Sequence, residues 1–223
     1  MMARRAANDH RAQGAAWNRA GMRPKMIAER QAKSALEVAR KVRVRLRQAG
    51  VISHLIGLWL RPRFQKAGII VVWGGLPLPR IENRGGRIEV GRCAFYSGVR
   101  LDCWPGAEIK IGSGTIINRN AEIVAARSVT IGRDCWIARD VIIMDTDGHE
   151  IPGAGLLVRP VVVEERVWIC ARAIILKGVT IGHDSIVGAG AIVTKSVPPG
   201  SVVVGPAARV IRTLDLAGRA GAA

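Results

Sequence analysis

The sequence is poor in aromatic rings, acids and thiols, and each shortage closes off an option. One Tyr and two Phe in 223 residues are too few to build an aromatic interior, so the core must be mainly aliphatic. Four cysteines, Cys93, Cys103, Cys135 and Cys170, show no CxxC or other ligand spacing. They read as small buried hydrophobes in a reducing compartment rather than as disulfides or metal ligands. Long apolar runs are missing as well. The longest near the start, Val51–Leu60, contains Ser53 and His54 and is too short to cross a bilayer. No apolar core or small-residue cleavage site follows the basic N-terminus promptly, so no secretory signal is read and a cytoplasmic location is expected.

Acidic residues are outnumbered two to one, 17 against 34 Lys and Arg, and the imbalance is local. Residues 1–66 hold 16 basic and 3 acidic residues, a net of +13, while the remainder holds 18 against 14. The chain therefore divides into a basic N-terminal arm over 1–66, a nearly balanced body over 67–212 and a short tail over 213–223. Within the arm, 25–48 is rich in Ala, Arg and Glu and free of Gly and Pro, which predicts a helix with Gly50 as its stop. Pro62 and the 68–79 region mark the passage into the body. Three roles compete for the arm. It is a helix packing on the body or on a neighbouring copy, or a peripheral anchor on an anionic membrane at the inner face. In the second case Leu55, Ile56, Leu58, Trp59 and Leu60 would dip in beside Arg61, Arg63 and Lys66. Nucleic-acid binding ranks last, because no helix-turn-helix, finger or aromatic-interleaved motif accompanies the charge.

What the body does have is a period of six. Val163, Ile169, Ile175, Ile181, Val187 and Val193 are aliphatic at strict spacing, often followed by a small residue. Ile111, Ile117 and Ile123, then Ile131, Ile137 and Ile143, keep the same step with a two-residue slip between the sets. Six is neither the helical 3.6 nor the strand's 2, so it argues against an amphipathic helix and a simple two-sided strand. It suits an all-β solenoid of short parallel strands, with one aliphatic side chain per edge stacking on the coil below. The pattern breaks between Glu150 and Arg159, which must loop out over about 150–160. A loop leaving a solenoid at a fixed place is where repeat proteins tend to put function, and it carries His149 just after "IIMDTDG".

The stretches "IGRDCWIARDVIIMDTDGHEI" and "RPVVVEERVWICARAIILKGVTIGHDSIVGAGAIVTKSVPPGSVVVGPAARVIR" resemble the hexapeptide-repeat acyltransferases. Within that family they are most similar to the galactoside and maltose O-acetyltransferases and their relatives from polysaccharide gene clusters. The resemblance covers about residues 88–212 and is most specific in the C-terminal half. It implies a left-handed parallel β-helix, assembled as a homotrimer, with acetyl-CoA as co-substrate between neighbouring coils. It also implies that His149 takes the proton of an acceptor hydroxyl as that hydroxyl attacks the thioester. A neutral imidazole titrates in the right range for such a base, and either Asp145 or Asp147 would orient the ring. Trp168 would lie near the pantetheine, and the Ala171 N–H near the thioester oxygen, where it would stabilise an oxyanion. Ala189, Thr194 and Lys195 align with further cofactor contacts, and Arg209 and Arg212 with basic residues at the phosphate end of CoA. Asn118 aligns with an acceptor-binding Asn, though a turn Asn is also a ready left-handed residue.

The chain departs from the family pattern in places. The Gly after the family's Trp-Ile is Cys170 here, and an acceptor-contacting Asp falls at Ala126. The maltose enzymes' N-terminal helical cap is not recognisable in the basic arm. His183, in "IGHDSI", is expected at a turn facing solvent. With only His149 and His183 in the solenoid, in separate coils, the three-histidine zinc site of the γ-class carbonic anhydrases has no counterpart. The function expected is acetyl transfer from acetyl-CoA to a hydroxyl of a sugar or glycan precursor, by direct transfer and without a metal. The alternatives are N-acetyl transfer to an amino sugar and a non-catalytic scaffold.

Overall fold

The computed structural model describes residues 50–150 and 152–214. The expected helix over 25–48, the rest of the arm up to residue 49 and the tail beyond 214 lie outside the described residues. The chain divides into two compact units, Met1–Arg40 and Lys41–Ala223, and the described residues all belong to the second.

Three parallel sheets wind into a three-sided solenoid of six coils. The first face carries β1 (Lys66–Ala67), β4 (Arg87–Val90), β7 (Glu108–Ile111), β10 (Ser128–Ile131), β13 (Val161–Val163) and β16 (Thr180–Ile181). The second carries β2 (Ile70–Trp73), β5 (Cys93–Tyr96), β8 (Ile116–Ile117), β11 (Trp136–Ile137), β14 (Trp168–Ile169) and β17 (Ile186–Val187). The third carries β3 (Arg80–Asn83), β6 (Arg100–Cys103), β9 (Glu122–Ala125), β12 (Ile142–Met144), β15 (Ile174–Ile175) and β18 (Ile192–Val193). Then β19 (Ser201–Val204) adds in parallel to β17 on the second face, and β20 (Arg209–Thr213) folds back on it antiparallel, closing the ladder. That antiparallel strand was not expected from the repeat pattern.

The six-residue period becomes a stack. Ile111 pairs with Ile131, then Val163, then Ile181, and every one of these side chains is buried. Ile117, Ile137, Ile169 and Val187 repeat the pattern on the second face, as do Ile123, Ile143, Ile175 and Val193 on the third. β-branched side chains suit this narrow interior because their restricted rotamers stack without gaps. The two-residue slip falls between β9 and β10, where two four-residue strands meet across a two-residue corner. The coil over 66–83 lacks the six-residue period yet closes in the same way, with Ile70, Val72 and Ile81 inward.

Sharp corners set the geometry. Several turn on one residue in the left-handed region: Asn120, Asp134, Asp140, Arg166, Arg172 and Asp184 have φ between 55° and 61°. Asn and Asp tolerate this at low cost, whereas Arg does so less readily. Arg166 is held by a two-pronged bond to the buried Asp184 carboxylate, at 3.0 and 2.9 Å, and this partner raises its pKa further. Here His183 differs from expectation. It is half-buried, with Nδ1 2.9 Å from Asp184, so it belongs to this corner network rather than standing free in solvent.

Of the cysteines, Cys93, Cys103 and Cys135 are buried and Cys170 is half-buried at a corner; all four are free thiols. Burial pushes the Cys93 and Cys135 thiols up to about 12, which keeps them protonated and inert.

The apolar run at 51–60 is a helix, α1 (Val51–Leu60), with Gly50 as its extended N-terminal flank. It lies directly on β2: a side-chain carbon at Gly57 would come within 1.9 Å of the Ile70 carbonyl oxygen. Leu60 and Phe64 join the core at the first-coil end. No helix among the described residues is long and apolar enough to cross a membrane.

Candidate active site

The largest break in the described solenoid lies between β12 and β13. From β10 to β13 the register jumps 32 positions, Ile131 to Val163, against 18 from Val163 to Ile181. The surplus leaves as a loop from the corner between the third and first faces, and it starts at Asp145, five residues earlier than the broken period suggested. Its two legs run antiparallel at the foot, with a bridge between Thr146 and Val158 and a 2.9 Å bond from the Arg159 N–H to the Asp145 carbonyl. His149 lies on the outgoing leg, exposed to solvent.

Two carboxylates hold this foot, by different means. Asp145 is fully buried. Its oxygens accept the backbone N–H groups of Ala126 at 2.7 Å, Arg127 at 2.8 Å and Ser128 at 2.6 Å. Those amides belong to the corner of the coil below, which the parallel ladder leaves without strand partners. A carboxylate there satisfies all three with charge-assisted bonds. Asp145 is thus engaged by these three amides, and the other candidate for orienting the ring, Asp147, is placed differently. Its Oδ1 pairs with the Lys177 ammonium, while Oδ2 is shielded from solvent with no hydrogen-bond partner among the described residues. Two residues from His149, this is a carboxylate oxygen with its acceptor capacity unused among the described residues.

The sequence did not point to Lys177. It sits in the next corner of the same edge, 30 residues from Asp147. Only the coil frame, which stacks the Leu176–Gly178 corner over the loop's foot, brings the two together.

The remaining candidates occupy two edges and a face. Thr194 and Lys195 are exposed on the same edge as the loop, one coil beyond Lys177. Ala171 and Ala189 share the other edge of the third face, where the Gly190 N–H bonds the Ala171 carbonyl at 3.0 Å. The Ala171 N–H has no protein acceptor among the described residues. Asn118 is on that edge too, two coils earlier. The left-handed residue of its turn is Asn120, not Asn118, whose Oδ1 instead accepts the Arg119 N–H at 2.8 Å. The conformational explanation for Asn118 therefore falls away. Trp168 is half-buried on the second face, in register between Trp136 and Ile186. Arg209 and Arg212 lie on β20 at the far end, with the Arg209 guanidinium bonded to the Ala207 and Ala208 carbonyls. A six-residue side spans roughly 20 Å at most, so the third face separates His149 from Ala171 within one chain.

The geometry can be set beside known proteins. The family profile "Bacterial transferase hexapeptide (six repeats)" matches residues 160–195. WbbJ of Escherichia coli K12, named for lipopolysaccharide biosynthesis O-acetyl transfer, is 33% identical over 133 residues, covering 53% of this chain and 68% of that protein. The chain belongs to the hexapeptide-repeat transferase family. The galactoside O-acetyltransferase of the same organism is 40% identical over 114 residues, 49% of this chain and 56% of that protein. The match thus spans little more than half of that enzyme's length. A crystal structure of galactoside acetyltransferase in complex with coenzyme A superposes with a TM-score of 0.52 at 26% identity, covering 80% of this chain and 84% of that one. Among the described residues, no group of three or more His, Cys, Asp or Glu could hold a metal ion.

Proposed function

We propose that this chain is an acetyl-CoA-dependent O-acetyltransferase acting on a hydroxyl of a sugar or glycan precursor. The observation that carries this reading is the loop foot: an exposed His149 on a leg fixed by Asp145 and by the Asp147–Lys177 pair. The matched relatives are named for galactoside and lipopolysaccharide O-acetyl transfer, and one solved relative holds coenzyme A; both support the choice of substrates.

In the mechanism we infer, the neutral His149 imidazole accepts the acceptor's hydroxyl proton as that oxygen attacks the thioester carbonyl carbon. Asp147 Oδ2 accepts from the other ring nitrogen and stabilises the imidazolium. The Ala171 N–H, unengaged among the described residues, donates to the developing oxyanion, a contribution of about 3 kcal/mol in comparable sites. Collapse breaks the C–S bond, the imidazolium returns its proton to the CoA thiolate, and the O-acetyl ester leaves. Trp168, Ala189, Thr194, Lys195, Arg209 and Arg212 hold acetyl-CoA, and Asn118 meets the acceptor.

Because His149 and Ala171 stand on opposite edges of the third face, the site is completed by a second copy: His149 of one protomer faces the Trp168 and Ala171 surface of its neighbour. A homotrimer closes this arrangement symmetrically. A cytoplasmic location, where acetyl-CoA and reduced thiols coexist, fits both the chemistry and the free cysteines.

The test is an acceptor screen with acetyl-CoA, following CoA release and product mass, in wild type and His149→Ala. Acetylation of a sugar hydroxyl that depends on His149 and is cleaved by hydroxylamine is the expected result. A hydroxylamine-stable amide product would move the reading to an amino sugar. CoA release unchanged in His149→Ala would remove the base assignment, and no turnover with any acceptor would favour a scaffold.

A further inference from the structure

The helix α1 is apolar on both sides. One side, with Ile56, Gly57 and Leu60, packs on the first coil. At 100° per residue the other side gathers Val51, Ile52, Leu55, Leu58 and Trp59 into one continuous sector. All five are more than half exposed, from 57% for Trp59 to 76% for Val51. Leu76, at 85%, and Ile69, at 52%, add to the exposed apolar surface of the same coil. Leu55, Ile56, Trp59 and Leu78 line an open depression of about 260 Å³ there. A solvated surface helix carries polar residues outward, so an apolar outward face indicates a site of contact.

The charge around the helix narrows what it contacts. Arg61, Arg63 and Lys66 follow directly, and the Arg63 guanidinium stacks 4.3 Å over the Trp59 ring. No Asp or Glu occurs between Glu37 and Glu82. A second copy placed symmetrically on this face would set its own Arg61, Arg63 and Lys66 against the first set. The chain's own arm is itself strongly basic, so it too would meet like charge. Nucleic acid would match the charge but has no use for five exposed aliphatic and indole side chains. An anionic bilayer matches both features, since stable peripheral binding takes an apolar insertion together with basic attraction. Ten residues span only about 15 Å, enough to lie in the interface and not to cross it.

We infer that α1 is a membrane-docking element: Val51, Ile52, Leu55, Leu58 and Trp59 insert into the headgroup boundary of an anionic bilayer, and Arg61, Arg63 and Lys66 engage its phosphates. The solenoid is thereby tethered by its first-coil end, away from β20. This inference is independent of the transferase reading, because it concerns a surface that holds none of the proposed site residues.

The experiment is sedimentation of the full chain with vesicles of pure phosphatidylcholine or of phosphatidylcholine containing about one-third phosphatidylglycerol. Wild type should partition onto the anionic vesicles and be released by salt. Leu55→Ser with Trp59→Ser should lower that partition by about tenfold or more. Arg61→Glu with Arg63→Glu should weaken the preference for anionic lipid several-fold, the basic arm keeping the remainder. These side chains are exposed, so circular dichroism should confirm unchanged folding. As a second reading, brominated lipids should quench wild-type fluorescence more strongly than that of Trp59→Leu, a change that keeps the apolar face and the binding. Equal partition onto both vesicle types, or undiminished binding by the Ser variant, overturns the inference. So does a Ser variant that changes oligomer size while its vesicle partition stays the same, which would assign the face to a second copy.

Discussion

The coils and the loop that leaves them solve opposite problems. Each coil is held by the repeat: its aliphatic side chains stack inward, its strands pair with the coils above and below, and its corners bond to the corners stacked on them. The loop at 145–160 has no such ladder. It keeps its shape by borrowing partners from two coils, the amides of Ala126, Arg127 and Ser128 on one side and Lys177 on the other. The chemistry we propose sits where the repeat cannot hold the chain, and the repeat contributes the anchors.

If Asp145 is the anchor rather than part of the chemistry, Asp145→Ala should be the most costly of these changes. It leaves three backbone donors without their acceptor in a part-buried corner, a loss of about 4 kcal/mol, which corresponds to roughly 10 °C in Tm for a chain of this size. Calorimetry showing an unchanged Tm, with activity lost, would return Asp145 to the catalytic group. His149→Ala tests the loop's side of the contrast. Turnover should fall by about 100-fold or more while CoA affinity stays within a few-fold and Tm is preserved.

Lys177→Met lies at the junction of coil and loop. We expect about a tenfold lower kcat with little change in KM for acetyl-CoA, and recovery of most of the rate in Lys177→Arg, because the role is to pin Asp147. A Met variant with full activity would show that the loop holds its geometry without the pair. The smallest effects belong to the coil surface. Lys195→Ala and Arg212→Ala should each weaken CoA binding only a few-fold, and more at low salt than at high, since their contribution is electrostatic. Isothermal titration at two ionic strengths checks this; a dissociation constant that does not move would remove these residues from the cofactor site.

The same contrast explains what could be read in advance. The stack of Val163, Ile169, Ile175, Ile181, Val187 and Val193 was legible because every sixth side chain must enter the core. Asn118, Trp168, Ala171, Ala189, Thr194 and Lys195 were named from the family resemblance, and the coils put them at corners or outward positions. The coil over 66–83 was less legible: its corners vary from two to six residues, so the period disappears although the coil does not. Asp145 and Asp147 looked alike as neighbours in "IIMDTDG". What separates them is burial and the identity of their partners, 17 to 30 residues away along the chain.

By itself the sequence determined the solenoid, its aliphatic interior, the place where a loop must leave and the residue types available for acyl transfer. These follow from a period and from composition, which act locally and repeat. Only the tertiary structure decided that Asp145 is spent on three amides, that Lys177 reaches Asp147, that His183 joins the Arg166–Asp184 corner and that α1 shows an apolar face outward. Each of those depends on which coil lies over which, and a register jump of 32 positions brings together groups whose separation along the chain says nothing about their contact.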